Sequence, residues 1–267
     1  MPTIIDFHTH IFPEHVAEKA MVALGETYGA RPEGVATLSG LREAMDEAGV
    51  ERAVLCPVAT RPEQVPSINR WIVRANEGLD RPRFFPFGAL HPDFPEPEAE
   101  LAYLRDQGVR GIKLQPHFQS YALEDPATLR MFELLEDFVV LLHAGQEIKP
   151  IPHVPTTPEK LRALHERFPR QRLVIAHLGG YKMWEEAEAC LVGQEVYLDL
   201  AYTFGKLGDA DIARIIAAHG AERVVFASDY PWQRPAEALA GLRRLGLPPE
   251  QERLILSENA ARLLGLV

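Results

Sequence analysis

The stretch FVVLLHAG, residues 138–145, is an unbroken apolar run that stops on a histidine. Val139 to Leu142 offer no polar alternation, so the segment reads as a strand buried on both faces, the pattern of a parallel sheet rather than of a half-solvated hairpin. Parallel neighbours need a crossover between them, and a helix is the usual one. Seven further runs have the same make-up: TIIDFHTH (3–10), RAVLCPVAT (52–60), RFFPFGAL (83–90), RGIKLQP (110–116), RLVIAHLGG (172–180), EVYLDLAY (195–202) and RVVFASDYPW (223–232).

Helical patterns fill the intervals. TLSGLREAMDEAGV places Leu38, Leu41, Met45 and Ala48 on one face and stops at Gly49, a C-cap. Asp125-Pro126 and Thr157-Pro158 each set a capping residue before a proline suited to the first helical position. From the second run onward a strand starts about every 30 residues, the length of one strand–helix unit. Eight such units predict an α/β fold, a closed (β/α)8 TIM barrel. The first interval is longer, so residues 11–37 are expected to form an insertion, an extra helix or a lid over the barrel mouth. Residues 1–267 otherwise read as one domain, with no linker.

A chain of 267 residues suits one such barrel. Its net charge of −10, without any Lys/Arg-rich run, argues against nucleic acid or an anionic membrane as partner and leaves a small-molecule substrate as the expectation. No apolar stretch approaches the roughly 20 residues that span a bilayer, and no basic-then-apolar leader opens the sequence, so a cytoplasmic location is expected. Cys56 and Cys190 form neither a disulfide framework nor a zinc knuckle.

In a barrel the C-terminal ends of all strands meet around one mouth. Reading those ends gives His8 and His10 from the first, Lys113 from the fourth, His143 from the fifth, His177 from the sixth and Asp229 from the eighth. Side chains two apart on a strand share a side, which aims His8 and His10 together. Singly, each residue has an ordinary reading: a hydrogen-bonded histidine, a lysine snorkelling to the rim, an aspartate opening a turn. All six falling at strand ends of one barrel instead points to a metal cage of imidazoles and a carboxylate.

The ordered set HTH, GIKL, LLHAG, IAHLGG and SDYPW resembles the amidohydrolase superfamily. More narrowly it is similar to the amidohydrolase-related group that includes relatives of aminocarboxymuconate-semialdehyde decarboxylase. The likeness runs from His8 to the NAARLLGL tail. It implies a distorted TIM barrel with a divalent metal, usually zinc, held by His8, His10, His143 and Asp229, with His177 beside it for catalysis. Lys113, His143 and His177 also stand in the order of the binuclear members, whose carboxylated lysine bridges two ions. Lys113 is therefore either a bridge to a second metal or an ammonium that holds a substrate anion, and one tight site is the favoured reading. Relatives often associate in pairs, so a homodimer is expected.

Such a set suits metal-activated water, because a bound cation brings the pKa of water from 15.7 toward about 7. Asp229 would orient the water and carry its proton, and His177 would serve as acid or electrostatic stabiliser. The first reading is thus a metal-dependent hydrolase of a C–O or C–N bond. A metal-dependent non-oxidative decarboxylase, in which His177 or Asp229 protonates the carbon that loses CO2, uses the same residues. A non-catalytic barrel scaffold is the third, and burying this set gains a scaffold nothing. For the substrate, Arg61 is a candidate carboxylate clamp, and Phe12, Phe118, Trp184, Tyr202 and Trp232 are candidate pocket walls. The proline-rich loop 143–158 is a candidate specificity element, with His117 and His153 as further contacts. His15, His91, His165 and His219 read as surface or capping positions.

Overall fold

The computed structural model describes residues 3–266. Nine short parallel strands succeed one another: β1 (Ile5–Thr9), β2 (Arg52–Leu55), β3 (Phe84–Pro86), β4 (Gly88–Ala89), β5 (Gly111–Leu114), β6 (Val139–Leu142), β7 (Arg172–Ile175), β8 (Tyr197–Asp199) and β9 (Val224–Val225). Strands β3 and β4 are two halves of one barrel strand. Phe87 between them still donates its N–H to Leu55 O at 2.9 Å, after which the chain turns to pair with β5. The ring closes where Phe7 N donates to Phe226 O and Asp229 N to His8 O, both at 2.9 Å. This is the (β/α)8 barrel expected from the eight apolar runs.

Burial on both faces explains why those runs lack polar alternation. Val139 and Leu141 join Ile5, Phe7, Val54 and Val174 inside the barrel, whereas Val140 and Leu142 pack outward under the helices. Phe7 and Phe87 meet edge to face at 5.7 Å in the interior. Gly111 makes room for them, since a Cβ there would lie 2.3 Å from the Phe87 ring.

Two of the three capping expectations hold in detail. Gly49 closes helix Leu38–Ala48 in the left-handed conformation, φ 70°, and Thr157 Oγ1 accepts from Lys160 N at 3.3 Å. Asp125 precedes helix Pro126–Glu133, but its carboxylate accepts from Ala122 N at 3.1 Å instead of from the helix. Within 11–37 the chain forms helix Glu14–Tyr28. The return segment is strapped to the turn after β9: Glu33 N donates to Pro231 O and the Tyr230 hydroxyl to Val35 O, each at 2.7 Å.

His91, His165 and His219 are buried, contrary to the surface or capping reading. A neutral imidazole is at once donor and acceptor, so it can satisfy two buried backbone groups. At His219, Gly193 N donates to Nδ1 at 3.1 Å while Nε2 donates to Val196 O at 3.0 Å. At His91, Asp93 N donates to Nδ1 and Nε2 donates to Gln119 O. Among the described residues, no helix is long and apolar enough to cross a membrane.

Candidate metal centre

All six strand-end residues, His8, His10, Lys113, His143, His177 and Asp229, line one cavity of about 300 Å³ at the barrel mouth. Local geometry is strained where two of them project. His177 and Asp229 adopt left-handed backbone with φ of 58° and 66°, which costs a residue with a Cβ and persists only where tertiary contacts dictate it. Strand β1 is also irregular: its register against β2 breaks between Asp6 and Thr9. Buried Asp6 supports that break, accepting from His8 N at 3.3 Å, Ser228 N at 2.9 Å and the Ser228 hydroxyl at 2.5 Å. It thereby ties the start of the HxH segment to the residue before Asp229.

The second nitrogen of each histidine decides what the first can do. His8 Nδ1 donates to Asp199 Oδ2 at 2.8 Å, and His10 Nδ1 donates to Cys56 O at 2.7 Å. Both imidazoles therefore turn an unprotonated Nε2 inward, the two nitrogens standing 3.0 Å apart. Asp229 Oδ1 completes the group, 3.3 Å from His10 Nε2 and 3.6 Å from His8 Nε2. Three acceptors facing one another repel unless a cation lies among them. One ligand atom from each of His8, His10 and Asp229 fits within a 4.8 Å span, so the trio suits a divalent ion on geometry and donor chemistry alike. Burial, and next the charge of Lys113, hold His8 well below the usual imidazole range, in the neutral form that ligation requires.

His143 and His177 form a second pair. His177 Nδ1 donates to Ala201 O at 2.9 Å, which leaves its Nε2 to accept from His143 Nδ1 at 3.1 Å. His143 Nε2 is then a buried lone pair. It lies 3.3 Å from Glu147 Oε1, out of line for a hydrogen bond, and has no partner among the described residues. An orphaned acceptor at the cavity wall is a natural fourth contact for a cation. Lys113 Nζ approaches His8 Nε2 at 3.0 Å, and burial draws its ammonium below the ordinary lysine value.

Several expected pocket residues take their places: Phe12, Phe118, Tyr202 and Trp232 line the cavity. Trp184 stands behind it, its indole N–H donating to His177 O at 3.0 Å. Arg61 does not reach the cavity. Its guanidinium is exposed and pairs with Glu63 at 3.3 Å, because the turn after β2 directs it to solvent. His117 and His153 flank a separate surface groove. Helix Glu14–Tyr28 contributes Met21, Leu24 and Tyr28, and loop 143–158 contributes Gln146, Glu147 and Ile148.

Asp199 and Glu147 escape the strand-end reading. Asp199 is fully buried and holds His8 through Oδ2, while Oδ1 accepts from His177 N at 2.7 Å and Ala201 N at 3.0 Å. Burial pushes its carboxyl up; the charge of His177 and the backbone amides oppose that. A polar residue interrupting the apolar run EVYLDLAY was its signal in the sequence. Glu147 lies in a loop without periodicity, and burial, followed by the charge of Asp229, raises its carboxyl to about 8.

A (β/α)8 barrel whose mouth gathers two imidazole nitrogens and a carboxylate around a cation-sized space defines a class of metal-centred barrels. The family model described as amidohydrolase matches residues 5–266, and the chain belongs to that family. Similar solved structures include a dihydroxybenzoic acid decarboxylase from Polaromonas sp. with bound manganese and an inhibitor, 17% identical, TM-score 0.75, covering 100% of this chain and 98% of that one. A 5-carboxyvanillate decarboxylase from Sphingomonas paucimobilis is 16% identical, with TM-score 0.72 and 99% of both chains covered. A probable 2-pyrone-4,6-dicarboxylic acid hydrolase from Acinetobacter baumannii, with citric acid bound, is 20% identical, with TM-score 0.69 and coverage of 98% and 99%. No curated protein matches the chain.

Proposed function

We propose that the protein is a metal-dependent hydrolase that cleaves a C–O or C–N bond of a small molecule. The observation that carries the reading is the convergence of His8 Nε2, His10 Nε2 and Asp229 Oδ1 at 3.0 to 3.6 Å, with the other nitrogen of each imidazole already engaged. These residues hold a divalent ion, with His143 Nε2 open at the same wall; zinc is the first candidate, and manganese is the ion bound in the Polaromonas structure. Such an ion lowers the pKa of water and polarises a carbonyl.

The protein's own groups supply the rest. Asp229 turns Oδ1 toward the two imidazoles, and its other oxygen accepts the proton of the attacking water and returns it to the leaving oxygen or nitrogen. Lys113, among the described residues the only lysine or arginine in the cavity wall, holds developing negative charge on the substrate. His177 acts through His143: its Nε2 accepts the Nδ1 proton of that imidazole and so keeps His143 Nε2 an unprotonated acceptor facing the ion's place. Helix Glu14–Tyr28 covers the mouth and excludes bulk water.

Decarboxylation is the second reading, favoured by the similarity to the Polaromonas and Sphingomonas decarboxylases. One experiment separates the two. The zinc- or manganese-loaded protein is incubated with panels of lactones, amides, and aromatic or enoic acids, and acid release and CO2 are both measured. Acid release from a lactone or amide supports hydrolysis; CO2 as the only product overturns it.

A further inference from the structure

Helix Glu14–Tyr28 has a second working face. Besides closing the cavity with Met21, Leu24 and Tyr28, it forms one wall of an outer groove of about 810 Å³ whose other wall is the return segment 29–37. Ala17, Met21, Val22, Pro32, Val35 and Ala36 line that groove. Val22 and Val35 are 59% and 66% exposed, two of the three large apolar side chains exposed among the described residues. Single exposed valines are ordinary, but two on the walls of one apolar groove mark a binding surface.

Met21 belongs to both spaces: among the described residues it alone lines the cavity and the groove. Ala17 and Gly25 stand one turn before and after it on the same helix face, so no bulky side chain flanks the seam. Ala36 of the opposite wall packs in one apolar cluster with Met21 and with Tyr181, Tyr202 and Trp232 of the cavity. That wall is fixed, because Phe12 N donates to Ala36 O at 2.8 Å and Thr37 N to Val35 O at 2.7 Å. Methionine is unbranched and has three rotatable side-chain bonds, so turning Met21 joins cavity to groove while both walls keep their places.

Charge decides what occupies the groove. Glu14, Glu18 and Glu26 stand on its helix side against one cation, Arg31. An anionic membrane surface is repelled there, and a second copy docked about a two-fold axis would bring the same glutamates face to face. A neutral apolar chain meets neither cost. The polar or anionic end of the same molecule has its place in the cavity, where Lys113 stands.

We propose that the groove between helix Glu14–Tyr28 and residues 29–37 is a subsite for the uncharged, apolar tail of the substrate, and that Met21 is the gate through which this tail leaves the cavity. The substrate class is then a molecule with a polar or anionic head and an extended alkyl tail. The inference rests on the same pocket as the proposed hydrolysis, but it concerns recognition and not the bond that breaks.

Binding tests it without turnover. Dissociation constants of the straight-chain carboxylates hexanoate, octanoate, decanoate and dodecanoate are measured by calorimetry on the zinc-loaded protein, below the concentrations at which the acids aggregate. The readout is the affinity ratio of dodecanoate to hexanoate. Each methylene that leaves water gains about 2- to 4-fold, so the wild-type ratio is expected at about 100-fold or more. Met21→Trp fills the seam, and affinity then levels off at octanoate, with a ratio of about 10-fold. The pair Val22→Gln and Val35→Gln makes the groove walls polar and lowers the ratio at least about 5-fold. Both valines are exposed, so this double variant carries the test alone if the tryptophan variant does not fold. A wild-type ratio under about 10-fold overturns the proposal, as does a ratio unchanged in the variants or a protein that binds none of the acids. A protein that passes but hydrolyses nothing would sink the proposed reaction alone, and an active hydrolase that fails would sink only this inference.

Discussion

His8 Nδ1 lies 2.8 Å from Asp199 Oδ2, a bond between residues 191 positions apart that decides which imidazole nitrogen faces the pocket. Asp199 also receives the backbone N–H of His177, so one buried carboxylate orients residues from the first and sixth barrel strands. Metal-binding histidines generally depend on such partners for tautomer and ring angle.

Asp199→Asn exchanges a pure acceptor for a group that can donate toward His8 Nδ1. The proton of His8 then moves to Nε2, where it blocks ligation. Metal affinity, read by competition with a chelator, is expected to fall about 10- to 100-fold while the circular dichroism spectrum is kept. Unchanged affinity would show that the tautomer is set elsewhere.

His8→Ala and Asp229→Ala each remove one of three converging acceptors. Both variants are expected to lose stoichiometric metal yet remain folded, because the mutual repulsion of the trio is relieved rather than a core emptied. Elemental analysis after gel filtration measures this. Full metal occupancy in both variants would refute the assigned centre.

Gly145 adopts φ 80°, and a Cβ on it would stand 2.4 Å from the backbone N of Tyr181. Backbone cannot give way as a flexible side chain can. Gly145→Ala should therefore cost about 1–3 kcal/mol in urea unfolding and also weaken ligand binding, since the displaced loop carries Glu147. A stability loss without any change in binding would uncouple that loop from the pocket.

Buried His219 is held below the ordinary imidazole value of 6.5, chiefly by burial. As pH falls, the unfolded chain takes up this proton before the folded one does. The stability it contributes is thus complete above about pH 6.5 and is lost progressively below it. His219→Gln should lower stability at pH 8 by about 1–2 kcal/mol through lost backbone hydrogen bonds, and flatten the decline between about pH 6.5 and 5. Urea midpoints across that range for both proteins supply the check; parallel slopes would contradict it.

Much of the fold was readable from the chain alone, because a strand buried on both faces must be apolar at every position, and eight such runs at the spacing of strand–helix units admit few arrangements. The same constraint made His8, His10, Lys113, His143, His177 and Asp229 conspicuous as polar residues where apolar ones belong. Only the tertiary structure decided how they associate: His8, His10 and Asp229 face one another, His143 pairs with His177, and Arg61 turns to solvent. Asp199 and Glu147 took on their roles in the same way. Hydrogen-bond partners, tautomers and left-handed backbone at His177 and Asp229 depend on groups brought together across the barrel. Local sequence governs which residues are buried, whereas directional bonds between distant segments govern what the buried polar groups can do.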